Sequence, residues 1–257
     1  MSRVYGLFGS GEFLPWATTV DRVLVARAGG PEGIRVGGPD GARVLVVPTA
    51  SAPEGDTVFA RWAEMGIDHY RGMGMAPELA AIRVREDADR PEVAARVAGA
   101  SLVYFSGGNP AYLARTLKGT AFWAAVAGAL DAGCALAGSS AGMSFLGGRT
   151  FDPAARVPGG LRVWVDGLGH FPRALLGPHW DAVDRWLPGA TGMMLAAVPE
   201  GWSFIGVDED TAVVGDGNHW EVMGRGTATV RRAGEDPVVV ASGASFDLAL
   251  VGDPTGL

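Results

Sequence analysis

No stretch of this chain restricts its fold more than Cys134-Ala-Leu-Ala-Gly138-Ser139-Ser140-Ala141-Gly142-Met143. A short apolar run stops in a G-x-S-x-G turn and resumes as helix, which is the sequence form of a nucleophile elbow. Glycines two before and two after the serine are required because the strand-to-helix turn leaves no room for side chains and strains the serine backbone. A fold that accepts this run must supply a buried strand passing directly into a helix, with Ser140 standing above a sheet. Ala141 would then present its N–H at the start of that helix, where unpaired donors and the positive end of the helix dipole favour a developing oxyanion. In a chain with 40 glycines the pattern can arise by chance, so its neighbours must carry the argument.

The neighbours alternate strand and helix. Val4 to Phe8 and Arg43 to Val47 are apolar runs that end in Gly9-Ser10-Gly11-Glu12 and Pro48-Thr49-Ala50-Ser51, as buried parallel strands followed by loops do. Between them Trp16 to Ala28 has helical spacing, stopped by Gly29-Gly30-Pro31. A second helix is expected from Asp56 to about Tyr70, capped by Asp56 or Thr57, then a third strand over Ala80 to Val84 and a short helix from Pro91. Leu102 to Phe105 is a fourth strand running into Ser106-Gly107-Gly108-Asn109-Pro110, a loop whose glycines let backbone N–H groups approach a ligand. Helices over Ala111 to Leu117 and Ala121 to Ala132 lead back to the elbow.

This order predicts an α/β fold, a doubly wound and mostly parallel sheet with flanking helices. Loops at the carboxyl ends of such strands line one crevice, so Glu12, Ser51, Gly107, Gly108 and Ser140 belong on one rim. After the elbow, Gly147 to Gly169 reads as a long loop bordering the site. A strand over Ala174 to Leu176 leads to Gly177-Pro178-His179-Trp180 and a helix to Trp186, and Trp202 to Val207 is a strand ending in Asp208-Glu209-Asp210. Thr211 to Val214 continues past that acidic turn. Asn218 to Met223 and Ala228 to Arg232 alternate like the two strands of a C-terminal antiparallel hairpin around Gly224-Arg225-Gly226.

Composition removes several function classes. With 257 residues, 48% apolar, the chain is expected to form a single domain over 1–257 with one substantial core. A net charge of −7 with Lys and Arg scattered singly, apart from the pair Arg231-Arg232, provides no basic stripe for phosphates, so nucleic acid is not expected as a partner. Cys134 is the one cysteine, which excludes an internal disulfide and a cysteine metal cluster and fits a reducing, cytoplasmic location. The amino terminus lacks the pattern of a signal peptide, and the longest apolar stretch is broken by Asp131 and Gly133, so no membrane span is expected. No metal-ligand spacing, Walker lysine or dinucleotide fingerprint is present, and no cofactor is expected.

Four motifs in order resemble peptidase family S51, the family of aspartyl dipeptidase (peptidase E) and cyanophycinase. They are Phe105-Ser-Gly-Gly-Asn109, Gly138-Ser-Ser-Ala-Gly142, Gly177-Pro-His-Trp180 and Gly206-Val-Asp-Glu-Asp-Thr-Ala212, and Val46-Val-Pro-Thr-Ala-Ser51 is similar as well. The resemblance implies a fold like that of class I glutamine amidotransferases and a Ser-His-Glu triad acting on a small peptide. It makes Ser140 the nucleophile, His179 the general base and Glu209 the carboxylate that orients the imidazole, with the N–H groups of Gly108 and Ala141 as the oxyanion hole. Asn109 matches the family's asparagine and, with Glu12 and Arg185, is a candidate substrate contact. Cyanophycinases carry Asp-Gln before the histidine and several arginines after it, whereas here Gly177-Pro178 precede and Arg185 alone falls in place. That departure removes the basic pocket a polyaspartate backbone needs.

Other readings share some of these residues. An esterase or amidase of the α/β-hydrolase type has the same elbow but takes its acid before the histidine, making Asp152 or Asp166 the partner of His179. His170 is the rival base, while His69 and His219 read as packing or surface residues. A class I amidotransferase proper needs a cysteine at the elbow, and Cys134 lies before it. A degenerate member that binds a ligand without catalysis is the third reading. A homodimer is compatible with the sequence.

Overall fold

The computed structural model describes residues 3–29, 41–154 and 164–251. Fourteen strands are found there: β1 (Val4–Phe8), β2 (Arg43–Val47), β3 (Ala76–Leu79), β4 (Leu102–Phe105), β5 (Ala135–Ser139), β6 (Arg149–Phe151), β7 (Trp164–Asp166), β8 (Ala174–Gly177), β9 (Ser203–Val207), β10 (Thr211–Gly215), β11 (His219–Gly224), β12 (Thr227–Arg231), β13 (Val238–Ala241) and β14 (Ser245–Asp247). Eight of them form one sheet in the order β14-β11-β10-β1-β5-β4-β2-β3, in which the β1-β5-β4-β2-β3 portion is parallel. The remaining edge, β10, β11 and β14, is antiparallel. The fold is therefore the α/β architecture expected, with a large, mostly parallel sheet flanked by helices.

Alternate residues of the parallel strands enter two different cores. Leu45, Val47, Val103, Phe105 and Leu136 belong to one, and Val44, Val46, Leu102, Tyr104, Ala135 and Ala137 to the other. Burial on both faces is why these strands read as unbroken apolar runs. Gly6 shows how closely the Ala17–Arg27 helix lies on β1, since a Cβ there would come 2.7 Å from the Leu24 side chain.

A second sheet runs β13-β12-β9-β8, and β8 and β9 are parallel neighbours with Gly177 opposite Gly206. It packs its own small cluster of Leu175, Trp180, Val198 and Phe204. Residues 208–210 pass from this sheet into β10 of the first. The two sheets thus bring their strand ends together at the turn that carries Glu209.

Several local expectations are corrected. The third strand is β3, Ala76–Leu79, not Ala80 to Val84: it lies at the sheet edge, contains Pro77 and is only partly buried, so no apolar run marks it. His219–Gly224 and Thr227–Arg231 do not pair with each other. β11 pairs with β10 and β14, while β12 pairs with β9 and β13, because the chain changes sheets at Arg225-Gly226. The C-terminal hairpins are therefore β10-β11 and β12-β13. Neither Asp56 nor Thr57 caps the helix that follows, which starts from Gly55 at φ 99°. Within Gly147 to Gly169, β6 and β7 form a two-stranded ribbon, and residues 155–163 lie outside the described residues. The same holds for the Gly30-Pro31 stop signal. Among the described residues no helix is long and apolar enough to cross a membrane.

Candidate active site

Ser140 caps the Ala141–Ser144 turn of helix with φ 53° and ψ −110°, a backbone conformation that costs a serine about 1–3 kcal/mol. The surroundings impose it. The Ser140 N–H donates to the Phe8 carbonyl at 3.1 Å, and the Ser140 carbonyl accepts from the N–H groups of Met143 at 3.1 Å and Ser144 at 2.9 Å. A Cβ on Gly138 would collide with the carbonyl of Gly142, and one on Gly142 with the carbonyl of Phe105. Both glycines of the motif are thus fixed by backbone packing, and the Ser140 side chain is left partly exposed at the carboxyl end of β5.

The second sheet brings the imidazole. His179 follows β8 in the left-handed region, φ 53° and ψ 36°, with its N–H donating to the Gly9 carbonyl at 3.3 Å. That turn carries the ring back over the first sheet. His179 Nε2 lies 2.9 Å from Ser140 Oγ, and Nδ1 lies 2.9 Å from Glu209 Oε1. Glu209 is held from two sides, by Arg185 Nη2 on Oε2 at 3.1 Å and by its own N–H donating to Asp181 Oδ1 at 2.8 Å. A carboxylate on Nδ1 stabilises the tautomer whose Nε2 is free to accept the serine proton.

The glycine loop after β4 completes the rim. The Gly107 N–H donates to Glu12 Oε1 at 2.9 Å and the Asn109 N–H to the Ala50 carbonyl at 2.7 Å. Gly108 between them has φ +139° and no room for a Cβ against Ala50. Among the described residues the backbone N–H groups of Gly108 and Ala141 have no hydrogen-bond acceptor. Backbone donors left unpaired in this way are of the kind that stabilise negative charge developing on a carbonyl oxygen.

The other residues singled out from the sequence have different employment. Asn109 accepts from the Tyr112 N–H at 2.9 Å as a helix cap and approaches Asp152 through Nδ2 at 3.4 Å. Asp152 pairs with Arg115 at 3.1 Å; hydrogen bonds from the Ala154 N–H and Arg115 hold its carboxyl below the usual range against the opposing effect of burial. Asp166 is exposed on β7. His179 thus faces Glu209 and neither of those two acids. His170 is packed against Tyr5, Trp123 and Phe171, with Nε2 3.1 Å from the Tyr5 hydroxyl, and burial pushes its pKa down to about 4. His69 packs inside, bonded to buried Asp21 at 2.8 Å, and His219 is exposed beside Asp247. Arg185 and Glu12, expected as substrate contacts, are both engaged by protein groups.

Three participants went unnoticed in the sequence. Asp181 accepts from the Glu209 N–H and Ser139 donates its hydroxyl to Glu12 Oε2, partners 28 and 127 residues away, so no local pattern reveals them. Trp186, 57% exposed with its ring centre 5.2 Å from that of His179, forms an apolar wall beside the imidazole. A cavity of about 680 Å³ lies elsewhere, lined by Val97, Ala100, Ala129 and Cys134 at the amino ends of β4 and β5, opposite to the Ser140 end. Its small apolar lining offers none of the groups gathered at Ser140. Among the described residues no cluster of three or more His, Cys, Asp or Glu side chains is placed to hold a metal ion.

The pattern of peptidase family S51 matches residues 35–223. The cyanophycinases of Trichormus variabilis and of a Nostoc species are each 28% identical over 197 residues, covering 74% of this chain. The chain matches 63% of the length of those relatives. The crystal structure of a peptidase from an acI-B1 Actinobacterium superposes with a TM-score of 0.82 at 29% identity, covering 96% of this chain and 98% of that one.

Proposed function

This chain belongs to peptidase family S51, and from that premise we propose that it is a serine-type peptidase or amidase that hydrolyses small peptides through an acyl-enzyme on Ser140. One observation carries the reading: a single imidazole has a serine hydroxyl at 2.9 Å on Nε2 and a carboxylate at 2.9 Å on Nδ1. Ser140 Oγ attacks the scissile carbonyl carbon while His179 Nε2 takes its proton. Glu209 accepts from Nδ1 and stabilises the imidazolium. The tetrahedral oxygen is held by the N–H groups of Gly108 and Ala141. The C–N bond then breaks as the imidazolium returns the proton to the leaving amine, and water, activated by the same imidazole, releases the acid product.

The esterase reading that draws its acid from before the histidine finds no support, because Asp152 is paired with Arg115 and Asp166 faces solvent. The substrate side chain is left open by the residues present. Arg185, the cation a polyaspartate would need, is occupied by Glu209 and by Asp181 at 3.5 Å. The test is Ser140→Ala against a panel of aspartyl, isoaspartyl and neutral dipeptides. Turnover should vanish with the thermal unfolding transition retained; an unchanged rate removes the reading.

A further inference from the structure

Glu12 is buried, 5% exposed, and nothing in the triad uses its carboxylate. It lies on the turn after β1, yet its two oxygens bind the ends of β5, next to β1, and of β4, one strand further on. Oε1 accepts from the Gly107 N–H at 2.9 Å, just beyond β4, and Oε2 accepts from the Ser139 hydroxyl at 2.6 Å, the last residue of β5. Ser139 is fully buried and immediately precedes Ser140. A Cβ built on Gly107 would stand 3.0 Å from Glu12 Oε1 and 3.8 Å from Ser140 Oγ, so the carboxylate and the hydroxyl flank the same glycine. Burying a charge is costly unless it is well hydrogen-bonded, and an apolar residue would fill the space more cheaply. The arrangement therefore calls for a role beyond filling space.

We infer that Glu12 is a positioning residue that fixes the oxyanion loop relative to the nucleophile, rather than a reader of the substrate amino group. The loop is anchored on each side of Gly108: Glu12 holds the Gly107 N–H, and the Ala50 carbonyl holds the Asn109 N–H. The Gly108 N–H between them is left without an acceptor among the described residues. The other arm of Glu12, through Ser139, ties that loop to the strand bearing Ser140. Each oxygen keeps a second lone pair, but with Glu12 only 5% exposed behind these two donors an incoming ammonium has little access to it. Charge-assisted hydrogen bonds of this kind are short and directional, which suits them to holding a loop within the tolerance an oxyanion hole demands.

This inference rests on the peptidase reading, and its test separates the two. Initial rates of wild type, Ser140→Ala, Glu12→Ala and Glu12→Gln are measured on one cleaved peptide with a free amino terminus and on its N-acetyl form. Glu12→Ala should lower kcat about 100-fold, the scale of losing one oxyanion donor, with KM within about threefold and the same loss on both substrates. Glu12→Gln should recover to within about tenfold of wild type, since its amide oxygen can accept from Gly107 and its N–H can donate to Ser139. A loss expressed as a raised KM for the free amine alone, or an unchanged kcat in Glu12→Ala, overturns the assignment while leaving the peptidase reading intact. Full activity in Ser140→Ala overturns that reading instead. Should Glu12→Ala fail to fold, Ser139→Ala removes one arm and should lower kcat about tenfold; an unchanged kcat there is equally contrary.

Discussion

Gly177 lies opposite Gly206 in the parallel pairing of β8 and β9, and this level register sets His179 and Glu209 side by side. His179 comes two residues after the first glycine and Glu209 three after the second, which leaves Nδ1 and Oε1 2.9 Å apart. Neither position can take a larger residue freely, since a Cβ on Gly206 would come 2.6 Å from the Trp180 ring and one on Gly177 2.8 Å from that of Phe204. Ser140 is supplied by the other sheet, so the proposed chemistry depends on how the two sheets meet.

The acid can be identified by substitution. Glu209→Gln should lower kcat by about 10²- to 10⁴-fold, because an amide neither fixes the required tautomer nor stabilises the imidazolium. Asp166→Asn should leave kcat within about twofold. Arg185→Ala should cost less than about tenfold, since its pair with Glu209 is 62% exposed on the arginine side and exposed pairs contribute little. Steady-state rates of the three variants on one substrate are sufficient.

The elbow glycines are predicted to be indispensable for folding. Gly142→Ala forces a methyl group into the Phe105 carbonyl and should destabilise by at least about 3 kcal/mol. Gly128 is the control, an exposed residue in the Ala121–Asp131 helix with open space where its Cβ would stand. Gly128→Ala should stabilise by about 0.5–1 kcal/mol through helix propensity. Urea denaturation midpoints of both variants give the comparison.

What was legible follows from what each residue depends on. β1, β2, β4 and β5 could be delimited because burial on both faces produces continuous apolar runs, and Gly or Pro follows closely where the chain leaves the sheet. Ser140 could be singled out by its G-x-S-x-G turn, whereas His179 and Glu209 are marked only by the resemblance of Gly177-Pro-His-Trp180 and Gly206-Val-Asp-Glu-Asp-Thr-Ala212 to peptidase family S51. The acid expected to read a substrate could not be placed in the same way: Glu12 is defined by Gly107 and Ser139, 95 and 127 residues away. β11 and β12 show correct alternation, but a period of two states only that one face is buried and not which strand lies alongside. β3, partly exposed and containing Pro77, has no apolar pattern to find.

His170 should give stability an acid-sensitive component. Burial, with a smaller contribution from Arg3, lowers its folded pKa from 6.5 to about 4. Between those values the unfolded chain holds the proton and the folded chain does not. Stability therefore falls as pH drops from 6.5 towards 4, with this group contributing at most on the order of 3 kcal/mol, and is unaffected by it above and below that window. Unfolding free energies at pH 7 and pH 4.5 should differ less in His170→Gln than in wild type. An equal difference would place the histidine's titration at its ordinary value.

The central claim is that Ser140 is a nucleophile activated by His179. Treatment with a fluorophosphonate followed by peptide mass spectrometry tests it most directly, because an activated serine oxygen displaces fluoride at phosphorus and retains the phosphonyl group, whereas an unactivated one does not react. The adduct should appear on the peptide containing Ser140 in wild type and be lost in His179→Ala. Labelling at another residue, or at Ser140 with equal rate in both proteins, would contradict the account.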